Sequence, residues 1–170
     1  VVLGRSKMNE ILDVNIENKT ALVQAGVTNK NISVAVDDLG LFYAPDPSSQ
    51  IACTIGGNVA MNSGGAHCLK YGVTTNHILG VKFVTMEGEV VDIGGEAYDL
   101  PGYDLLGMIV GAEGQLGVVT EVTVRLMEKP EDARPLLAGF DSALDAGACV
   151  AAIMATGRTP VAIECMDRPA

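Results

Sequence analysis

Residues Tyr43 to Gly65 read YAPDPSSQIACTIGGNVAMNSGG. From Pro47 to Leu69 there is no Asp, Glu, Lys or Arg, although the chain carries a net charge of −10. The stretch is built from Gly, Asn, Ser, Thr and Gln rather than being simply apolar. Glycine lets a backbone approach a ligand and take up positive φ, which frees N–H groups to face an anion. Such a segment can hold a diphosphate with peptide dipoles and no lysine, which suits an acidic protein with an anionic cofactor. A second reading stands beside it: a run of tight turns in an ordinary sheet protein.

The rest of the chain narrows the class. Fourteen of its twenty glycines lie between Gly56 and Gly117, so turns and close approaches dominate the middle. With 170 residues, it can bury roughly 70% of its unfolded surface, enough for one core. The longest apolar run, Ala148 to Ala155, is far too short to span a membrane. A pI near 4.5 argues against nucleic acid, which needs clustered Lys and Arg. Cys53, Cys68, Cys149 and Cys165 show neither CxxC spacing nor a paired metal pattern, so reduced cytosolic thiols and no metal are expected. No signal peptide is visible, and the sequons at Asn18 and Asn31 are read as chance matches.

Local signals predict α+β structure with mixed strands. Ser6 caps a short helix to Leu12, and strands run near Asp13–Ile16 and Thr20–Gln24. Thr28 caps a helix with Ile32, Val36 and Leu39 on one face, closed by Gly40. A hairpin pairs Ile78–Met86 with Glu89–Ile93 around Glu87-Gly88, and Thr120–Leu126 is a strand. Lys129-Pro130 and Arg134-Pro135 mark a boundary. Beyond it a strand at Leu136–Phe140, an alanine-rich core helix at about Ser142–Thr156 capped by Asp141, and a strand at Pro160–Glu164 open a second unit. Gly111-x-x-Gly114-x-x-Gly117 is not a Rossmann GxGxxG, and no Walker A sequence is present, so those nucleotide folds are disfavoured.

PDPSSQIACTIGGNVAMNSGG (residues 45–65), HCLKYGVTTNHILGVKFVT (67–85) and GYDLLGMIVGAEGQLGVVTEVTVRL (102–126) together carry a likeness. In that order and spacing they resemble the FAD-binding domain of the vanillyl-alcohol-oxidase-type flavoproteins. Within that family the likeness is to the glycolate oxidase flavin subunit and the FAD-linked D-lactate and D-2-hydroxyglutarate dehydrogenases. It runs over nearly the whole chain. The resemblance implies that the chain is a piece of a longer protein: residues 1–130 the later part of the FAD-binding domain, residues 131–170 the start of a C-terminal α+β substrate domain. Alone, such a piece is expected neither to retain FAD tightly nor to turn over.

By that resemblance, Gly56, Gly57, Asn58, Asn62, Ser63, Gly64 and Gly65 lie along FAD, with Thr54 and Asn62 offering side-chain hydrogen bonds. Pro45, Asp46, Pro47 and Ser48 match a turn beside the flavin, whose other reading is a rigid turn only. Tyr71 and Gly72 fall at the flavin rim, where a solvated Lys70 and a packed Tyr71 are equally good readings. Gly111, Glu113, Gly114, Gly117 and Val118 match the block that closes over the cofactor, with Ala112 where the family usually has serine. No catalytic residue is assigned. His67 is the candidate for a general base, but a packed histidine is the preferred reading for both His67 and His77, and the family's proton-handling residues lie mostly in the C-terminal domain. The implied reaction is FAD-dependent oxidation of a small D-2-hydroxy acid, glycolate or D-lactate, with companion flavin-like and iron–sulfur subunits. A cytoplasmic location is expected, with a peripheral position at the inner membrane as the alternative. Two rivals remain: the same fold acting on another alcohol such as D-2-hydroxyglutarate, or a non-catalytic subunit that keeps the fold without the cofactor.

Overall fold

The computed structural model describes residues 3–4, 6–97 and 101–166. The outer ends of the two expected domains, Val1 and Ala170, fall outside them. The class is α+β, built on a five-stranded sheet of order β1-β2-β6-β4-β5. Its strands are β1 (Ile11–Asn15), β2 (Thr20–Gln24), β4 (Ile78–Thr85), β5 (Val90–Gly94) and β6 (Gly117–Arg125). A two-residue pair, β3 (Leu41–Phe42) with β7 (Met127–Glu128), lies apart from that ladder. Every pairing among the described residues is antiparallel, where mixed sheets were expected.

The central strand β6 shows why this sheet forms. Its β-branched residues alternate, so Val122 and Val124 are fully buried while Thr123 and Arg125 turn partly outward. Period-two alternation of this kind is what a half-buried sheet face demands. Glu87-Gly88 makes the predicted turn between β4 and β5, with Gly88 at φ 87°. β1 and β5 are the two edges. Even so, Glu96, just past β5, accepts hydrogen bonds from Asn15 Nδ2 and Asn18 Nδ2 at 3.3 and 2.7 Å, which draws the two edges towards each other.

Helix α1 (Asn29–Ala35) begins at Thr28, whose hydroxyl accepts the Asn31 N–H, and its chain turns off at Gly40 with φ 71°. Ile32 and Val36 are fully buried, but Leu39 is exposed, because a 3-10 turn at Asp37–Leu39 rotates it away from the core face. Helix α2 (Ile55–Met61) packs Ile55 and Val59 into the same core, against β6. The sequence analysis assigns no element to this segment, because the Gly56-Gly57 pair masks the helix signals of Thr54 and the i, i+4 pair Ile55 and Val59. Short helices α3 (Cys68–Tyr71) and α4 (Leu105–Ile109) were also missed; Asp104 caps the latter by accepting the Gly107 N–H at 2.8 Å.

Five further expectations are corrected. Ser6–Lys7 is a turn and the chain enters β1 at Ile11, so no helix runs from Ser6 to Leu12; pairing with Val23 captures Ile11 for the sheet. Leu136–Phe140 and Pro160–Glu164 are not strands. Their apolar residues have no ladder to join, and Leu136 and Leu137 stand 98% and 95% exposed. Helix α5 (Ala143–Ala155) is capped by Ser142, not Asp141, because it is the Ser142 hydroxyl that reaches the Asp145 N–H. None of its residues is buried, so its alanine stripe is not a core stripe among the described residues.

Candidate cofactor groove

The glycine-rich segment is anchored by its ends. Asn29, buried, donates from Nδ2 to the Pro45 carbonyl at 3.0 Å and holds the Pro45–Pro47 turn against α1. At α2 the Ile55 and Gly56 N–H groups donate to the carbonyls of Val27 and Ala25 at 2.8 and 2.9 Å. The start of α2 is therefore not an open set of N–H groups for an anion, since two of them are already used by the fold. Thr54 has no capping hydrogen bond, although its extended backbone is a normal N-cap. At the other end Asn62 turns left-handed at φ 46°, and its Oδ1 accepts the Thr75 N–H at 2.9 Å. That half of its amide serves the fold.

The block at 111–118 docks on the far end of α2. Gly111 and Glu113 donate to the carbonyls of Val59 and Ala60, both at 2.8 Å. Glu113 sits at φ 54°, a left-handed conformation unusual for a side-chain-bearing residue. This docking brings two motifs more than fifty residues apart onto one cavity of about 220 Å³. Gly56 and Ala60 line one side of it; Ala112, Gly114, Gly117 and Val118 line another; Phe83, Ile109, Leu116 and Val119 supply apolar walls. Ligand sites usually run to about 300–1,000 Å³, so the space fits one ring system rather than a dinucleotide.

The glycines in these motifs divide into two kinds. A Cβ on Gly65 would lie 2.3 Å from the backbone of Asp46, on Gly72 2.2 Å from the Asn76 side chain, on Gly117 2.3 Å from the Val84 carbonyl, and on Gly64 2.8 Å from Cys68 Sγ. Backbone contact requires glycine at 65 and 117 and a φ of 80° favours it at 72, whereas at Gly64 only side chains stand in the way. A Cβ on Gly57 would meet only Thr54 Oγ1, at 3.6 Å, and on Gly114 nothing within 4 Å. The fold leaves that space open. Asn58, on the same turn of α2, is buried with its Nδ2 unpaired, a donor without a protein partner. Gly57 and Asn58 do not line the cavity itself; there the open space at Gly114 and the apolar walls suit a flat ring of the flavin kind.

A second cluster surrounds Asp46, flanked by buried Pro45 and Pro47, with Ser48 exposed beyond them. Asp46 Oδ1 accepts the backbone N–H of His67 at 3.0 Å, and its Oδ2 lies 3.2 Å from His67 Nδ1. The Tyr71 ring meets His67 edge-on at 6.3 Å, and Lys70 Nζ lies 5.2 Å from the Tyr71 ring centre. His77 is different: it is buried, its Nε2 is 2.8 Å from the Tyr71 carbonyl, and its Nδ1 is unpaired. Because a carbonyl only accepts, Nε2 carries the proton. Burial holds the His77 pKa below its ordinary value, opposed by the Tyr71 hydrogen bond and aided by the Arg125 charge. Tyr43, beside it, is a fully buried phenol that burial pushes far above its usual range. Ser63 is tied to the same interior, its carbonyl accepting both the N–H and the hydroxyl of Thr74. Sequence reading proposed Asp46 and His67 separately; nothing in the linear spacing of twenty-one residues revealed that they pair.

Comparison with known proteins identifies the family and the fold. A family profile described as an FAD binding domain matches residues 1–94. The chain is 53% identical over 167 residues to the glycolate oxidase subunit GlcD of Escherichia coli (strain K12), covering 98% of this chain and 34% of that protein. It is 37% identical over 171 residues to the D-lactate dehydrogenase of Archaeoglobus fulgidus, covering 100% and 38%. A solved structure of an alkyldihydroxyacetonephosphate synthase superposes with a TM-score of 0.78 at 24% identity, over 92% of this chain and 28% of that one, which shows a common fold. The chain spans about a third of the length of the curated relatives it matches.

Proposed function

The chain belongs to the FAD-binding domain family, and from that premise we propose that the protein oxidises a small D-2-hydroxy acid, glycolate or D-lactate, to the 2-oxo acid. FAD, when bound, supplies the two-electron acceptor that no side chain here provides. The observation that carries the reading is the single cavity shared by the start of α2 and the Gly111–Val118 block. Gly114 leaves the ring room in that cavity and apolar side chains wall it, while Gly57, with room for a Cβ, and Asn58, with an unpaired Nδ2, stand beside Gly56 on α2. Thr54, Asn62, Ser63, Tyr71 and the Pro45–Ser48 turn complete the groove in this reading. We assign residues 1–130 to the cofactor domain and 131–170 to the opening of a substrate domain, on the strength of the Pro130 and Pro135 boundary. Companion subunits follow from the likeness to a protein named as a subunit of glycolate oxidase. The four cysteines are free thiols, which favours a reducing cytoplasmic location. No described helix is long and apolar enough to cross a membrane.

The test is the visible spectrum of the full-length protein. Stoichiometric flavin absorbance that bleaches anaerobically with glycolate or D-lactate is the expected result. Bleaching by D-2-hydroxyglutarate alone would move the substrate, and a colourless folded protein would favour the non-catalytic subunit.

A further inference from the structure

We propose that His77 is an acid-sensitive clamp: its protonation opens the 62–77 segment while the sheet stays folded, and loosens the hold on FAD. The inference deepens the flavin reading above, and its cofactor half rests on that reading. The argument starts with what holds the turn at the end of α2. Asn62 and Ser63 are both tied to one 3-10 turn, Thr74–His77. Asn62 Oδ1 accepts the Thr75 N–H at 2.9 Å, and the Ser63 carbonyl accepts the Thr74 N–H at 3.0 Å and its hydroxyl at 2.7 Å. Asn62 also lies against the second glycine motif, since a Cβ on Gly111 would stand 3.5 Å from Asn62 Cβ. A single 3-10 turn has poor hydrogen-bond geometry and needs an anchor. Two residues of this one are buried, Thr74 and His77. Thr74 is bonded to Ser63, so His77 is what seats the turn in the interior. Its Nε2 also donates to the Tyr71 carbonyl at 2.8 Å, which ties in the end of α3.

This anchor holds only as a neutral ring. Nε2 already carries a proton, so an added one goes to Nδ1, which is buried and unpaired. The groups around the ring are the Tyr43 phenol, met edge-on at 6.1 Å, the Tyr71 carbonyl, and the Arg125 charge from β6. Burial keeps the Tyr43 phenol neutral, and no carboxylate pairs with His77 among the described residues. A second cation near Arg125, with an unpaired N–H in the interior, is relieved by moving the ring to water. Ile78, the next residue, is already paired with Val124 of β6, so the opening stops at the sheet.

The experiment is amide hydrogen exchange on the full-length protein between about pH 7.5 and about pH 5.5, corrected for intrinsic exchange chemistry, beside His77→Gln. Glutamine keeps a neutral donor for the Tyr71 carbonyl and takes up no proton. The Ser63, Thr74 and Thr75 amides are expected to be less protected than those of Val122 and Val124 at every pH. Below the ordinary histidine value of 6.5, their protection should fall by up to about tenfold per pH unit. In His77→Gln it should stay level. FAD should leave the wild type several-fold faster at the acid end, with a smaller ratio in the variant. Protection at these three amides that ignores pH, changes equally in His77→Gln, or matches that of β6 throughout overturns the clamp. An equal pH ratio of FAD release in the two proteins overturns its link to the groove. A protein that exchanges as expected yet binds no flavin supports the clamp and refutes the flavin reading.

Discussion

The sheet and the groove both depend on glycine, in opposite ways. Where β4, β5 and β6 meet, glycine is required because other atoms occupy the place of its side chain. Cβ atoms on Gly80, Gly94 and Gly117 would lie 2.7, 2.2 and 2.3 Å from neighbouring backbone atoms. At the groove, Gly57 and Gly114 have room. A glycine that the protein does not need for its own packing is the one expected to face something else. The largest effect follows from the crowded kind. Gly117→Ala combines a clash with the Val84 carbonyl and the Phe83 ring with a φ of 151° that an L side chain rarely adopts. Strain and overpacking together should cost roughly 2–4 kcal/mol, read as a lower urea midpoint. A midpoint equal to wild type would show that the sheet can yield at this corner.

Gly57→Val tests the other side. Helix α2 tolerates a β-branched residue at this position, and replacing glycine within a helix gains a few tenths of a kcal/mol. The apoprotein should melt no lower than wild type while flavin affinity in the full-length protein falls about 100-fold or more, equivalent to roughly 2.7 kcal/mol. Unchanged flavin affinity would mean that the backbone does not approach the cofactor there.

Much of the sheet was legible because alternation and turn chemistry are local. Thr20–Gln24, the Glu87-Gly88 hairpin and Thr120–Leu126 needed no knowledge of partners. Leu136–Phe140 and Pro160–Glu164 failed because a strand is a pairing, and their apolar character says nothing about whether an edge lies within reach. Helix α2 was hidden by its glycines, whose intrinsic cost is outweighed here by two buried anchors, Ile55 and Val59. For the proposed groove the sequence offers a list of candidate residues. The geometry was not legible, because Gly57 and Gly65 look alike in sequence and differ only in what surrounds them.

The two regions should also titrate differently. The interior of the sheet is lined by valine and isoleucine, whereas His77 lies buried beneath the groove segment. Burial lowers its pKa from the ordinary 6.5. Between the folded value and 6.5 the unfolded chain binds a proton that the folded chain refuses, so stability rises with pH across this window. His77 thus contributes nothing unfavourable above about pH 6.5 and destabilises as pH falls below it, by at most about 1.4 kcal/mol per pH unit. Urea unfolding across this range should show that slope in wild type and a shallower one in His77→Gln. Parallel slopes would show that His77 protonates as easily folded as unfolded.

The smallest predicted effect separates two threonines that look equivalent. Thr28 and Thr54 face each other across an antiparallel bridge, and each stands at the N-cap of a helix with an extended backbone. The Thr28 hydroxyl accepts the Asn31 N–H at 3.3 Å, whereas that of Thr54 caps nothing. Thr28→Ala should therefore cost about 1 kcal/mol of apoprotein stability and leave flavin affinity unchanged. Thr54→Ala should leave stability within a few tenths of a kcal/mol, because no cap is lost. If its free hydroxyl, 3.6 Å from where a Gly57 side chain would begin, serves the cofactor, flavin affinity should fall about fivefold, the worth of one neutral hydrogen bond near 1 kcal/mol. Thermal melts of the apoproteins and flavin titrations of the full-length variants give the two numbers for each. The assignment of Thr54 to the groove fails if the two alanine variants lose stability equally and bind flavin alike, because Thr54 would then be a second structural cap.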